Sequence, residues 1–176
     1  DEPRVARLPE ELQQAGEEVP EELEAAVKAA DEQLFGGIRY ALGLDQVIAI
    51  NTGAAPTPVA VLEFFHAIGL PIAELWGMSE SCGAGAVNRP GNIKIGTVGQ
   101  ASPGCEVKLA DDGELLIRAP FVFPGYRTAP DKTAEALDED GWLHTGDVAT
   151  IDDEGFITLV DRKKELIINA AGKNMS

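Results

Sequence analysis

The sequence predicts an α/β fold, a layer of helices and strands followed by a small β-rich subdomain. Up to residue 82, apolar stretches at helical and strand spacing succeed one another with turns between them. After Gly83 they shorten into β-like pieces, broken by turns such as Asp112-Gly113 and Glu154-Gly155. The composition allows such a fold: 176 residues, 44% hydrophobic and 25% charged, are ordinary for a soluble protein with a sizeable core.

Residues 8–35 read as one or two surface helices. Pro20-Glu21-Glu22-Leu23 is a good helix start, because Pro fits the first turn and acids favour the positive end of the helix dipole. Leu23, Val27, Ala30 and Leu34 then recur at helical spacing. Gln46–Asn51 is expected as a buried strand, 58–68 as a helix closed by Gly69, and Ile72–Trp76 as a second strand. That strand–turn–helix–strand order implies a parallel sheet. Further strands are expected over 106–109, 114–118, 147–151 and 156–160, with a helix over 130–137. There is no internal repeat and no low-complexity segment.

The net charge is −16, and residues 1–35 hold 11 acids against 3 bases, half of the excess. Such a balance repels nucleic acid and anionic membrane surfaces, and no basic patch offsets it, so a nucleic-acid partner is excluded. The acidic run is expected to be a solvated helix face. Cys82 and Cys105 match neither a disulfide framework nor a zinc pattern, which points to a reducing, cytoplasmic setting. No apolar run reaches the length of a membrane span. His66 and His144 lack triad-like or metal-like neighbours and are read as structural.

Several segments can carry chemistry. Gly53-Ala54-Ala55-Pro56 follows a strand, and small residues there let a flat ring approach the backbone; a tight strand-to-helix turn needs the same residues. In Trp76-Gly77-Met78-Ser79-Glu80 the aromatic can stack on a purine, Ser79 can meet a phosphate oxygen and Glu80 can ligate Mg²⁺; a core Trp with a capping Ser is the plain alternative. Thr145-Gly146-Asp147 sets beside a glycine a carboxylate able to accept both hydroxyls of a ribose, although such a triplet is common in turns. Gly83-Ala84-Gly85-Ala86 reads as a flexible turn and lacks the Gly-Lys-Ser/Thr of a phosphate loop.

Taken in order, Trp76–Glu80, Gly141-Trp142-Leu143-His144-Thr145-Gly146-Asp147 and Asp161-Arg162-Lys163-Lys164-Glu165 resemble the AMP-forming acyl-activating (adenylating) enzymes. The likeness is greatest to their long-chain fatty acyl-CoA synthetase branch, and Met78-Ser79-Glu80-Ser81 is closest to the bubblegum subgroup. The family usually has Tyr at Trp76 and Thr at Ser79. Its Gly-Glu-Leu strand is nearly kept in Gly113–Arg118, with Ala119 where Gly is usual. The resemblance implies that the chain is the end of a large adenylate-forming N-terminal domain, stopping just past the hinge. It implies that Gly53, Ala54, Ala55 and Pro56 line the adenine pocket with Trp76 and Gly77. Ser79 would contact phosphate, Glu80 would hold Mg²⁺, Asp147 and Arg162 would bind ribose, and Lys164 would be the hinge.

The implied activity joins a fatty acid to CoA through an acyl-adenylate, with ATP consumed to AMP. The implied segments are an acidic helical piece over 1–35 and an α/β layer with the adenine motifs over 36–82. A β-rich subdomain over 83–160 and a hinge with the start of a C-terminal domain over 161–176 complete the set. Residues 30–176 carry the likeness. The family's Ser/Thr/Gly-rich loop with its Lys, and its C-terminal catalytic Lys, have no counterpart in the sequence, which starts Asp1-Glu2-Pro3 and ends inside a motif. A partial chain is therefore expected. A catalytically inactive remnant, or half of a split enzyme completed by a second chain, is the rival expectation.

Overall fold

Helix α1 (Glu21–Ala30) begins where the sequence places a start. Pro20 is extended, and its carbonyl accepts from the amides of Leu23 and Glu24 at 2.9 and 3.1 Å. The structure is a computed structural model describing residues 18–163 and the backbone of two short strands, Ile167–Ile168 and Asn174–Met175. It divides the chain into two units, Asp1–Ala73 and Glu74–Ser176.

In the first unit the helix does not stop at 35. A π-helical turn (Asp31–Phe35) carries it without a break into α2 (Gly36–Ala41). A π-turn lengthens the repeat by about one residue. Leu34, expected on the apolar stripe, is thereby turned outward, and Phe35 takes the buried place. Phe35, Ile68 and Leu70 form this unit's core, with Ile38, Ile50 and Phe65 packed on it. Arg39 ties the unit together. Its guanidinium donates to both oxygens of Asp31, at 2.5 and 3.0 Å, and to the Ile68 carbonyl at 2.8 Å. Hydrogen bonding from Arg39 holds the Asp31 carboxyl below its ordinary range despite partial burial.

Strand β1 is shorter than the apolar run 46–51 predicts, covering only Ile50–Thr52. Asp45 and Gln46 form a turn instead, and Ile48 is 95% exposed. Helix α3 (Val59–Ala67) follows and ends as expected at Gly69, whose φ of +74° lets the Leu70 amide return to the Phe65 carbonyl at 2.9 Å. Strand β2 (Ile72–Trp76) has its predicted bounds.

In the second unit β2 pairs antiparallel with β3 (Ala86–Val87), and β3 with β4 (Gln100–Ala101). Strands β5 (Glu106–Leu109), β6 (Glu114–Arg118), β7 (Leu143–Ile151) and β8 (Ile157–Arg162) form an antiparallel meander in that order. Helix α4 (Pro130–Ala136) lies in the β6–β7 connection. Alternation on β6 puts Leu115 and Ile117 into a core with Trp76, Leu143, Ala149 and Ile157. Each such fully buried aliphatic side chain contributes about 1.5–3 kcal/mol. The last strands, β9 (Ile167–Ile168) and β10 (Asn174–Met175), pair antiparallel.

Gly99 shows how tightly β3 and β4 meet. A Cβ built there falls 2.0 Å from the Val87 carbonyl carbon and 2.1 Å from the Asn88 nitrogen, and its φ is +86°. Gly91 has a similar φ of +78° and open space around it. Gly99→Ala is therefore expected to cost about 3 kcal/mol or more, through overpacking added to backbone strain. Gly91→Ala is expected to cost only the left-handed strain, about 1–2 kcal/mol. Urea midpoints at constant slope check this; equal costs would show that the close approach at Gly99 is absent.

Candidate functional site

The site is built on an irregularity of the meander. Between the cross-strand pairs Leu116–His144 and Glu114–Val148, β6 has one residue, Leu115, and β7 has three: Thr145, Gly146 and Asp147. The surplus on β7 must bulge, and Gly146, at φ +74°, supplies the left-handed turn. Thr145 pins the bulge: its hydroxyl donates to the Leu115 carbonyl at 2.7 Å and accepts from the Asp147 amide at 3.1 Å.

Asp147 then lies opposite Arg162 on β8. Its Oδ1 is 3.2 Å from Arg162 Nε, and its Oδ2 accepts from the Trp76 indole N–H at 2.9 Å. The structure thus brings together Trp76, Asp147 and Arg162, three residues that the sequence places far apart. An ionised carboxylate has about four lone-pair positions, so two remain beyond these contacts, matching the two hydroxyls of a ribose.

Trp76 is 7% exposed and packed in the core. The backbone of Gly85 presses on its ring, since a Cβ on Gly85 would fall 2.5 Å from it. Gly85, within the segment 83–86 read from sequence as a flexible turn, is therefore a packing surface for Trp76. Gly77 is equally constrained, with the Gly83 carbonyl oxygen 2.2 Å from where its Cβ would stand.

Ser79 and Glu80 lie on a 3₁₀ turn (Ser79–Ser81) that follows β2. The buried Ser81 hydroxyl secures it, donating to the Met78 carbonyl at 3.1 Å, while Cys82 adopts a left-handed φ of +54°. The Ser79 side chain is exposed. Glu80 is fixed through both backbone and side chain. Its carbonyl accepts from the Phe123 amide at 2.7 Å, and its Oε1 accepts from the Tyr126 hydroxyl at 2.7 Å. That hydrogen bond raises the Tyr126 phenol above its ordinary value, because ionisation would break it and set two negative charges together. Among the described residues no three His, Cys, Asp or Glu side chains are grouped to hold a metal. A Mg²⁺ at Glu80 fits only if phosphate oxygens and water complete its shell.

Gly53, Ala54, Ala55 and Pro56 belong to the first unit, directly after β1, and Ala54 has a left-handed φ of +70°. Left-handed backbone at a non-glycine residue is strain of the kind that collects at ligand loops. Lys164 lies outside the described residues. Cys82 is exposed and Cys105 half-buried, with burial pushing the Cys105 thiol up.

Sequence reasoning assigned no role to Glu114. It is 4% exposed, accepts the Gly146 amide at 2.8 Å on Oε1, and meets Lys163 Nζ at 2.8 Å and His144 Nδ1 at 3.1 Å on Oε2. Burial alone would raise its pKa. Hydrogen bonds from Lys163, His144 and Gly146 outweigh it and hold the carboxyl below its ordinary range. The sequence signals were its place in the Gly-Glu-Leu strand and an acid on an otherwise apolar strand, neither of which gave it a role. Lys163 also meets Asp112 at 2.5 Å, and both contacts raise its own pKa.

These shifts fix the sign of the pH dependence. A depressed carboxylate adds stability above its unfolded value of about 4.3, which is lost as pH falls through the lower folded value. A raised lysine adds stability below about 10.4, which is lost as pH rises through its folded value. Glu114→Gln is expected to lower stability by about 3 kcal/mol at neutral pH. The gap should hold steady down to about pH 5 and close below about 4. Urea unfolding across pH checks this, and a gap that widens in acid would contradict it.

The chain is similar to several known proteins. Residues 9–127 match the family described as AMP-binding enzyme. The chain is 52% identical over 162 residues to a Mycobacterium tuberculosis protein named as fatty-acid–CoA ligase fadD11, covering 92% of this chain and 28% of that one. It is 42% identical over 151 residues to the long-chain-fatty-acid–CoA ligase ACSBG2 of Xenopus laevis, covering 83% and 20%. Among solved structures, a Mycobacterium tuberculosis fatty acyl CoA synthetase superposes with TM-score 0.61 at 32% identity, over 70% of this chain and 26% of that one. The O-succinylbenzoate CoA synthetase of Bacillus subtilis, solved with ATP and magnesium, does so with TM-score 0.65 at 30% identity, over 72% and 29%. The chain thus spans less than a third of the length of these relatives.

Proposed function

Because the chain belongs to the AMP-binding enzymes, we propose that it is the adenosine-binding part of an AMP-forming long-chain fatty acid–CoA ligase. One observation carries the reading: Asp147 sits on a bulge, its two oxygens steadied by Trp76 and Arg162, with lone pairs left for a ribose. The printed names of the relatives support the substrate class.

In the proposed reaction the fatty acid carboxylate attacks the α-phosphate of ATP and pyrophosphate leaves. The CoA thiol then displaces AMP from the acyl-adenylate. Alignment and charge neutralisation carry such chemistry, without a covalent enzyme intermediate. Asp147 and Arg162 hold the ribose, and Ser79 offers its exposed hydroxyl to a phosphate oxygen. Glu80, oriented by Tyr126, would hold Mg²⁺, which when bound would offset phosphate charge. The resemblance gives adenine-binding roles to Gly53, Ala54, Ala55 and Pro56 in the first unit, and to Trp76 and Gly77 in the second. Lys164 takes the hinge role, and the setting is cytoplasmic. Among the described residues no helix is long and apolar enough to cross a membrane.

The test is thermal unfolding of the chain with and without a non-hydrolysable fatty acyl-AMP analogue. At about a hundredfold excess over Kd the analogue should add about 2.7 kcal/mol of stability, roughly 5 °C or more in Tm. Asp147→Ala should remove the shift. A cooperative transition that saturating analogue leaves in place would refute the reading.

A further inference from the structure

Glu114 is a costly residue to place where it stands. Leu115, Leu116 and Ile117 already supply the apolar burial of β6, and a hairpin has no need of a carboxylate that is 4% exposed. Its contacts show what it does. Oε1 accepts the amide of Gly146, the residue before Asp147. Oε2 meets Lys163, the residue after Arg162, and also His144 at the root of the bulge. Asp147 and Arg162 are themselves cross-strand partners. One buried side chain therefore grips both strands at the step next to the Asp147–Arg162 pair.

We propose that Glu114 is a positioning residue: its carboxylate, filling the β7 bulge and bridging to Lys163, sets where Asp147 and Arg162 stand and so tunes the affinity of the site for an adenosine ribose. It touches no ligand itself and acts through Gly146 and Lys163. The link to affinity rests on the proposed adenosine site; the placement of Asp147 does not.

That separation makes the inference testable in two arms. The chain has two tryptophans. The Trp76 indole N–H donates to Asp147 Oδ2, so its exchange with solvent reports where Asp147 is. Trp142, flanked by Lys108 and Arg118 at 4.1 and 4.6 Å from its ring, serves as an internal reference. In ¹H–¹⁵N spectra, Glu114→Ala should speed exchange of the Trp76 indole about tenfold or more relative to that of Trp142. Glu114→Gln keeps an oxygen for the Gly146 amide, and its Trp76 exchange relative to that of Trp142 should stay within about threefold of the native ratio. Titration with AMP should follow the same order, with Kd raised about tenfold in Glu114→Ala and less in Glu114→Gln.

If Glu114→Ala fails to fold, Glu114→Asp carries the same test. Its shorter side chain keeps the charge but cannot span from Gly146 to Lys163, and it should loosen Trp76 selectively. Equal acceleration of both indoles would mean that Glu114 supports only the fold, and the proposal falls. An unchanged Trp76 indole in the Ala and Asp variants overturns it as well. If the native chain binds no AMP while Trp76 loosens selectively, the adenosine reading fails and the positioning role stands. If AMP binds and Glu114→Ala leaves both Kd and exchange in place, the reverse holds.

Discussion

The site depends on a count that does not balance. Three residues of β7 face one of β6, and the excess has to leave the plane of the sheet. A bulge leaves backbone groups without ladder partners, and buried groups without partners are costly. Two side chains answer this. The Thr145 hydroxyl takes the Leu115 carbonyl and the Asp147 amide, and the Glu114 carboxylate takes the Gly146 amide. With those bonds made, the bulge has one shape, and Asp147 is turned toward Trp76 and Arg162. The placement of Asp147 thus follows from how a sheet defect is satisfied.

The same logic explains the residue at position 76. Tryptophan carries a single donor, its indole N–H, and no acceptor. Placed at the end of β2, the ring fills the core while its N–H reaches the Asp147 carboxylate. A tyrosine, usual in the resemblance drawn from sequence, would present a hydroxyl that can either donate or accept. The indole admits only the donor role, so the carboxylate is steadied by a neutral group on one oxygen and by Arg162 on the other. Gly85 makes the arrangement possible, because any side chain there would collide with the ring.

Much of this was legible in the chain and some was not, for definite reasons. The bounds of β2, β5 and β6 and the stop of α3 at Gly69 were readable because apolar spacing and turn glycines report local structure. Asp147 stood out in the sequence because its motif is local. The swap of Leu34 for Phe35 was not, since a π-turn leaves composition unchanged while shifting the buried face. The run 46–51 reads as apolar, yet only 50–52 finds strand geometry, the Asp45–Gln46 turn taking up the rest. Glu114 escaped notice because its meaning lies in register. Nothing in Gly113-Glu114-Leu115 reveals that Gly146 will lack a ladder partner about thirty positions later.

Charge separates what is built to last from what is merely decorated. Lys94 bridges Asp152 and Glu154 at 2.7 and 2.8 Å, but on the surface, where such pairs contribute little and fade with salt. Lys163 makes contacts of similar length, one of them to a carboxylate that water cannot reach. In a chain with 30 acids and 14 bases, a cation spent on a buried acid is drawn from the scarcer kind. Breaking that contact leaves an unpaired buried charge, a loss several times larger than for an exposed pair. The Lys163–Glu114 pair stands one residue beyond Arg162 and so holds the end of β8. The Asp147 bulge and the end of β8 are therefore coupled through one buried carboxylate.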